Sequence, residues 1–273
     1  MPLAPMHLPP LPFDMGNAGD LLKHGLLAEF TQWWYTWNTD NPMRFLDPFA
    51  GRKWVTPPNP VVSQRVLALP TCALKNAQYD PHRYFGSSYV VYNSPADSNP
   101  TPEVLVADND PAALHVLLDG TPFQQIAFQG FNIVDSFSIL NAKFQGDLLL
   151  LDPFGNFLPR AVRPDNDIFE NIAIASNEIA CVLFVLNLDP DNRVGQRYAE
   201  LRVEHLPHAW SLSCPPLYNT GVRGESRYFV DVLLAWHPLI DHPQRSILSE
   251  RLQSYANALT EVLQTPISFS EEF

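Results

Sequence analysis

The chain has 273 residues, of which 46% are apolar and 12% aromatic, so it is long enough for one large domain with a sizeable core. Its 29 acidic and 17 basic residues give a formal net charge of −12, which repels a phosphate backbone over most of the surface. This composition excludes a disordered chain and a uniformly basic nucleic-acid-binding domain. Any nucleic acid must therefore meet a local group of cationic side chains.

Cysteine content and apolar run lengths predict a soluble, cytoplasmic protein. The three cysteines, Cys72, Cys181 and Cys214, lie far apart and show no metal-ligand spacing with histidine, so we expect reduced thiols and no metal centre. The start of the chain, MPLAPMHLPPLPF, carries prolines where a signal peptide has a continuous apolar helix. The longest apolar runs are too short to span a membrane.

The first part of the chain predicts a helix and a strand before a proline-rich segment. Residues 1–12 are predicted as an extended, proline-rich N-terminal arm. A helix capped by Asn17 or Asp20 follows through LLKHGLLAEFTQWWYTW, because its leucines recur at helical spacing. MRFLDPFAG then predicts a short buried strand that ends in a turn. Residues 52–83 contain five prolines and are predicted as an irregular insertion.

The rest of the chain alternates short apolar runs with helical stretches. EVLVADNDP, IAFQGFNIVD, DLLLLDPFG and IACVLFVLNLD predict strands, and PAALHVLLDG predicts a helix that ends at a glycine. RVEHLPHAW and SRYFVDVLLAW are predicted as two further strands, and residues 244–264 as an amphipathic helix. Such alternation indicates an α/β protein whose mostly parallel sheet is covered on both faces.

Four candidate strands end in an aspartate within a turn: Asp47, Asp108, Asp135 and Asp152. The carboxyl ends of parallel strands meet at one edge of a sheet, and ligands bind outside that edge. A single aspartate at such a position is usually a turn residue or a helix N-cap. Four in series favour a ligand pocket.

The order of these aspartates suits a ligand that contains adenosine. A carboxylate after the second strand, Asp108, can accept hydrogen bonds from both ribose hydroxyls, and one after the third, Asp135, can accept from the adenine amino group. The Phe49-Ala50-Gly51 turn after the first strand has small residues that allow close approach of the backbone. The turn lacks the G-x-G-x-x-G pattern of dinucleotide sites, so S-adenosyl-L-methionine fits better than NAD.

Several segments occur in the order found in a known family: GNAGDLLKHGLL, FLDPFAGR, RYFGSS, VADNDPAAL, VDSFSIL, LLLLDPF and RVEHLP…SRYFVDVLLAWHP. Over residues 13–240 the chain resembles the bacterial 23S ribosomal RNA adenine-N6 methyltransferases of the RlmJ type, with NAGDLLKH as the most specific element. The resemblance implies one domain over residues 1–273 with a Rossmann-like class I methyltransferase fold. That fold has a mostly parallel seven-stranded sheet, helices on both faces and here a small insertion.

The resemblance also implies S-adenosyl-L-methionine as the cofactor. The residues that it implies for cofactor binding are Lys23, His24, Asp47, Phe49, Gly51, Ser87, Asp108, Asp135 and Ser136. Lys23 and His24 would lie beside the methionine part, and Phe49 and Gly51 beneath it. Asp108 would hold the ribose, and Asp135 with Ser136 the adenine.

Asp152 is the implied catalytic carboxylate. The exocyclic amino group of adenine is a poor nucleophile. Asp152 would accept one hydrogen of this amino group, and the Pro153 carbonyl would accept the other. Together these two contacts favour the pyramidal nitrogen geometry that attacks a methyl group. Phe154 or Phe157 would stack on the target base. The family has Asp-Pro-Pro-aromatic where this chain has Asp-Pro-Phe-Gly, a form similar to that of the three-Cys-motif partner proteins.

Two hypotheses of function follow. The first is an S-adenosylmethionine-dependent methyltransferase acting on the N6 amino group of adenine in RNA, which would contact a basic rim of Arg52, Lys53, Arg160 and Arg163. The second is a degenerate methyltransferase-like protein without catalysis that serves as a nucleotide-binding or protein-interaction subunit. Asp-Pro-Phe-Gly favours the second hypothesis, as does Lys53, which stands where the family has a second glycine. A hydrolase is disfavoured because G-x-S-x-G does not occur.

Overall fold

A computed structural model of the chain describes residues 17–55, 60–78, 80, 82–108, 110–126, 146–153, 157–186, 191–219 and 226–272. The strands β1 to β10 of these residues are, in chain order, Arg44–Asp47, Trp54–Val55, Tyr84–Phe85, Glu103–Val106, Gln124–Gln125, Leu148–Leu151, Ala180–Leu186, Ala209–Asn219, Ser226–Ala235 and Ser268–Glu272. The helices α1 to α9 are Ala18–Trp34, Pro60–Ala68, Ala73–Ala77, Ser87–Asn93, Pro111–Leu118, Phe157–Ala161, Ile168–Ala175, Arg193–His205 and Arg245–Leu263. None of these helices is long and apolar enough to cross a bilayer.

One mixed sheet of eight described strands organises the fold, in the order β5-β4-β1-β6-β7-β9-β8-β10. The strands from β5 to β7 pair in parallel, whereas β9 is antiparallel to both β7 and β8, and β10 is antiparallel to β8. This confirms a mostly parallel, Rossmann-like α/β sheet. The strand order reverses at β1, which lies between β4 and β6, and such a switch point is where ligands bind.

The predicted count of seven strands is one too low for the described residues. The strand predicted over IAFQGFNIVD lies outside the described residues except for Ile126, and β5, which directly precedes it, was not predicted. β10 was not predicted either; it follows the C-terminal helix and pairs with β8 from Ser268 opposite Ser213 to Glu272 opposite Ala209. Its sequence, SFSEE, has serine and glutamate at most positions, so it shows little of the apolar pattern that predicts a strand. The pairing with an existing sheet edge determines its conformation instead.

Successive leucines of β6 enter two different cores. Leu148 and Leu150 belong to the core that contains α1, α4 and α9, whereas Leu149 and Leu151 belong to the core that contains α6, α7 and α8. All four leucines are buried, because side chains alternate between the faces of a strand and helices cover both faces of this sheet. A continuous leucine run is therefore stable at this central position.

Helix α1 lies almost entirely inside the protein. The Asn17 side chain caps its first turn by accepting a hydrogen bond from the backbone N–H of Asp20 at 3.0 Å, so the cap is Asn17 rather than Asp20. Its contact with α9 is close: a Cβ atom on Gly25 would lie 1.9 Å from a ring carbon of Tyr255. The Tyr255 hydroxyl donates to the Leu21 carbonyl at 2.7 Å and so fixes the ring there.

Substitution of Gly25 by alanine is expected to destabilise the protein by about 1–3 kcal/mol, since the added methyl group overfills this contact. Urea unfolding at equilibrium measures the loss. In a Tyr255→Leu background the same substitution should cost less, because the ring that it meets is gone. An equal cost in both backgrounds would contradict the packing described for α1 and α9.

Residues 52–83, predicted as an irregular insertion, contain β2 and the two helices α2 and α3. Pro60 is the first residue of α2, where its missing N–H has no intrahelical partner to lose, and Pro70 lies between α2 and α3. Pro60 and Pro70 therefore lie at the boundaries of these helices and do not interrupt them. Buried Val62 and Leu74 join the core around α1.

The prediction of a strand over RVEHLPHAW was wrong for its first half. Helix α8 continues to His205, and β8 begins only at Ala209. Buried Gly195, Tyr198 and Leu201 recur every three residues, which is a helical spacing. The predicted C-terminal helix over residues 244–264 is confirmed as α9, Arg245–Leu263.

Candidate active site

Three of the predicted strand-end aspartates lie at the carboxyl ends of adjacent strands. Asp47 is the last residue of β1, Asp152 directly follows β6, and Asp108 comes two residues after β4. Because β1 pairs with both β4 and β6, these carboxylates flank the switch point of the sheet. Asp135, which was predicted to complete the series, lies outside the described residues.

Asp152 forms a buried ion pair with Lys23 of α1. The Lys23 ammonium donates to Asp152 Oδ2 at 2.5 Å and lies 3.1 Å from Asp20 Oδ1. Burial alone would lower the pKa of Lys23, but the two carboxylates outweigh it and hold that pKa above its ordinary value. Burial raises the pKa of Asp152, and the Lys23 charge opposes that rise. Each charge of the pair therefore opposes the effect of burial on the other.

Asp47 lies beside this pair and is fully buried. Its Oδ2 accepts from the Ser88 hydroxyl at 2.9 Å, and its Oδ1 accepts from the Phe49 backbone N–H at 3.3 Å. Burial raises the pKa of Asp47 to about 7, with the Asp152 charge contributing in the same direction. We call Asp20, Lys23, Asp47 and Asp152 the carboxylate cluster. Its three carboxylates outnumber its single ammonium group.

His24, the residue after Lys23, is held on both sides of its ring. Nδ1 lies 2.8 Å from the Tyr84 hydroxyl and Nε2 lies 3.1 Å from the Ser87 hydroxyl. Burial, together with the nearby charge of Lys23, lowers the pKa of His24 to about 3, so the imidazole is neutral. His24 thus joins α1 to β3 and α4. Its predicted contact with the cofactor, like that of Ser87, stays a prediction.

The turn after β1 offers an open backbone beside Asp108. Gly51 has a φ of +59°, a left-handed conformation that favours glycine, and a Cβ placed there would meet, among the described residues, only the Phe49 carbonyl oxygen, at 3.9 Å. The Gly51 N–H donates to Asp108 Oδ2 at 2.8 Å, and the Asp110 N–H donates to Oδ1 at 2.7 Å. Asp108 is half-buried, and both of its oxygens accept backbone hydrogen bonds from the turns that follow β1 and β4.

Lys53 is directed to the end of α5. Its ammonium donates to the Asp119 carbonyl at 2.5 Å and lies 4.8 Å from the centre of the Trp54 ring. A positive charge is favourable at this C-terminal end of a helix. The ammonium group of Lys53, the residue that the resemblance aligns with a glycine, is therefore bound at the end of α5. Arg160 and Arg163 are exposed on and just after α6, and Arg52 is half-buried.

Several contacts of the site were not predicted from the sequence. Tyr84, Ser88 and Phe184 were missed, and Phe184 places its ring 4.8 Å from the Lys23 ammonium. Ser88 was the easiest to find, because it adjoins Ser87 in RYFGSS. Phe184 lies within an apolar strand and carries no local signal. The predicted residues Ser136 and Phe154 lie outside the described part of the chain, whereas Pro153 is described and buried.

The fold and the carboxylate cluster define a Rossmann-like α/β protein with a buried group of acidic residues at the sheet's carboxyl edge. Neither a protein-family model nor a curated protein sequence matches the chain.

Solved structures show where this fold occurs. The chain is similar to a Legionella pneumophila protein of the DUF519 family, with a TM-score of 0.68 and 14% identity over 94% of this chain and 98% of that one. It also matches a precorrin-6y C5,15-methyltransferase from Geobacter metallireducens, with a TM-score of 0.36 and 13% identity over 77% and 85% of the two chains. A third match, a proposed RNA methyltransferase from Pyrococcus horikoshii, has a TM-score of 0.36 and 13% identity over 76% and 81%. The first similarity establishes a shared fold over nearly the whole chain.

Proposed function

We propose that this protein is an S-adenosylmethionine-dependent methyltransferase that acts on the N6 amino group of adenine in RNA. The observation that carries the proposal is the buried carboxylate cluster beside the open Gly51 turn, at the switch point between β4 and β6. The sequence resemblance to the RlmJ type of 23S ribosomal RNA adenine-N6 methyltransferases supports the acceptor.

The residues present fit such a cofactor. S-adenosylmethionine supplies a methyl group activated by a positively charged sulfur. Buried charges are stable only when they are paired, and the excess carboxylate around Asp47 and Asp152 suits a cationic ligand. Asp108 would accept hydrogen bonds from the ribose hydroxyls, and the Gly51 backbone would let the ligand approach closely. Asp135 and Ser136 would contact the adenine.

Asp152 is the proposed catalytic carboxylate. Positive charge develops on the acceptor nitrogen during methyl transfer, and a fixed carboxylate stabilises that charge without reorganisation of solvent. The Pro153 carbonyl would accept the second amino hydrogen and so orient the nitrogen for in-line attack. Phe154 would stack on the base.

Asp108→Ala is expected to weaken binding of S-adenosylmethionine by about 1–3 kcal/mol, because the ribose hydroxyls and nearby N–H groups lose their acceptor. Calorimetric titration measures the change. The matched control is Asp110→Ala: Asp110 is exposed and caps α5 through the Ala112 N–H, so its loss should leave the affinity unaltered. Equal affinities in wild type and Asp108→Ala would remove Asp108 from the ribose contact.

The activity itself is tested with radiolabelled S-adenosylmethionine on protein-free RNA and DNA pools, followed by nucleoside analysis. We expect label in N6-methyladenosine from RNA. Substitution of Arg160 and Arg163 together by alanine should raise the RNA concentration needed for half-maximal labelling, if these exposed arginines belong to the phosphate-binding rim. Label in no nucleoside, despite donor binding, would contradict the proposed acceptor.

The degenerate, non-catalytic alternative is favoured by one specific contact. Lys23 already occupies Oδ2 of Asp152, the carboxylate that would receive the acceptor. The Asp-Pro-Phe-Gly sequence and Lys53 add to this alternative. Under it, the protein would transfer no methyl group and would show little or no heat on titration with S-adenosylmethionine.

A further inference from the structure

Lys23 contacts the proposed catalytic carboxylate, although the resemblance implies that it binds the methionine part of the cofactor. Its ammonium is fixed on three sides, by Asp152 Oδ2 at 2.5 Å, by Asp20 Oδ1 at 3.1 Å and by the Phe184 ring at 4.8 Å. Lys23 is 4% exposed and Asp152 3%. An ammonium held in this way has little freedom to leave Asp152.

The surroundings of Asp152 make it depend on this one cation. The charged groups that face it in the described part of the chain are Lys23 and Asp20 from α1 and Asp47 from β1. The two aspartates disfavour a second negative charge, as does burial, while His24 and Tyr84 contribute no positive charge because both stay neutral. Lys23 is thus the described group that favours an ionised Asp152.

We propose that Lys23 is a positioning residue that holds Asp152 ionised and oriented for the acceptor amino group. This rests on the proposed function, because it assigns Asp152 to the acceptor. Lys23 bonds Oδ2, so the acceptor contact falls to Oδ1. During transfer the lone pair of the amino nitrogen forms the N–C bond and the electrons of the C–S bond pass to sulfur, leaving a neutral thioether. The methylated nitrogen then loses one proton to water, and an ionised Asp152 stabilises its transient positive charge.

The contact between Lys23 and Asp152 is tested with Lys23→Met, which removes the ammonium, and Lys23→Arg, which keeps a positive charge. Lys75→Met is the matched control, since Lys75 bonds only the Leu67 and Leu69 carbonyls among the contacts described for it. The first readout needs no ligand. Infrared difference spectroscopy over a pH series follows protonation of Asp152, with Asp152→Asn to assign the band.

We expect Lys23→Met to raise the pH at which Asp152 ionises by roughly one to three units, the size of shift that a close opposite charge causes. The pH midpoint of methyl transfer should move up by the same amount, while donor affinity at alkaline pH is retained. Lys23→Arg and Lys75→Met should keep the wild-type midpoint. If Lys23→Met does not fold, a displaced midpoint in Lys23→Arg would itself overturn the proposal.

Two results separate this inference from the proposed function. Loss of donor affinity in Lys23→Met at every pH, with Asp152 still ionised at neutral pH, would make Lys23 a donor ligand and overturn the inference alone. If wild-type protein binds no S-adenosylmethionine, the proposed function fails, and the inference fails with it as a statement about catalysis. The infrared titration would in that case still decide whether Lys23 controls the charge of Asp152.

Discussion

Replacement of Asp152 by asparagine is expected to lower the rate of methyl transfer by about 10²–10³-fold, the loss typical of removing one charge-stabilising group from an active site. Asparagine keeps the size of the side chain but not its charge, so the positive charge on the acceptor nitrogen loses its counterion. The affinity for S-adenosylmethionine should change far less. Single-turnover methyl transfer and calorimetric titration separate the two effects.

Asp147→Asn is the matched control for this substitution. Asp147 directly precedes the amino end of β6, whereas Asp152 follows the carboxyl end of that strand. The Oδ2 atom of Asp147 accepts a hydrogen bond from the Arg44 backbone N–H at 2.8 Å. Its substitution should leave the rate of transfer unchanged. A wild-type rate in Asp152→Asn would remove Asp152 from the chemistry, provided that thermal unfolding shows both variants to be folded.

The second large effect is the expected dependence of the free energy of unfolding on the ionisation of Asp47. Its pKa lies near 7 in the folded protein and near 3.8 in the unfolded chain, so the folded state binds this proton more tightly. The contribution of Asp47 to stability is therefore fully present below pH 3.8 and is lost as pH rises towards 7. The free energy of unfolding is therefore expected to fall by an amount of the order of 4 kcal/mol across this pH range, at about 1.36 kcal/mol per pKa unit.

Asp47→Asn should thus stabilise the protein at pH 8 and not at pH 4, since the amide carries no charge to bury. Urea unfolding over this pH range measures the difference. The exposed Asp97→Asn serves as the control, and its unfolding midpoint should follow that of the wild type. If the free energy of unfolding depended on pH in the same way for wild type and Asp47→Asn, the ionised Asp47 would not be destabilising, which would contradict the raised pKa of this group. A functional group that lowers stability is common at ligand sites.

Much of the sheet and the acidic edge could be predicted because both depend on short-range pattern. Runs such as Leu148–Leu151 match a strand buried on two faces, and an aspartate at the end of such a run must lie at the carboxyl edge. The position of Asp47 and Asp152 follows from this without knowledge of any contact. The helices of residues 52–83 could not be predicted in the same way, because Pro60 signals an interruption and a helix start equally well.

The hydrogen bonds and ion pairs within the site depend on tertiary packing and could not be predicted from the sequence. Lys23 and Asp152 are 129 positions apart, and nothing local to either residue indicates the other. The resemblance implied a role for Lys23 beside the cofactor, whereas the structure pairs it with Asp152, the proposed catalytic carboxylate. His24 likewise meets Tyr84 of β3 and Ser87 of α4 only because both of these elements lie against α1 in the fold.

Titration calorimetry with S-adenosylmethionine at pH 8, comparing wild type with Asp108→Ala, tests directly whether the carboxyl edge of the sheet binds a methyl donor. Saturable binding at one site, weakened roughly tenfold or more by the substitution, is the outcome expected when a ribose loses a half-buried carboxylate acceptor. No heat of binding to the wild type, or identical curves for both proteins, would mean that these aspartates do not hold a methyl donor.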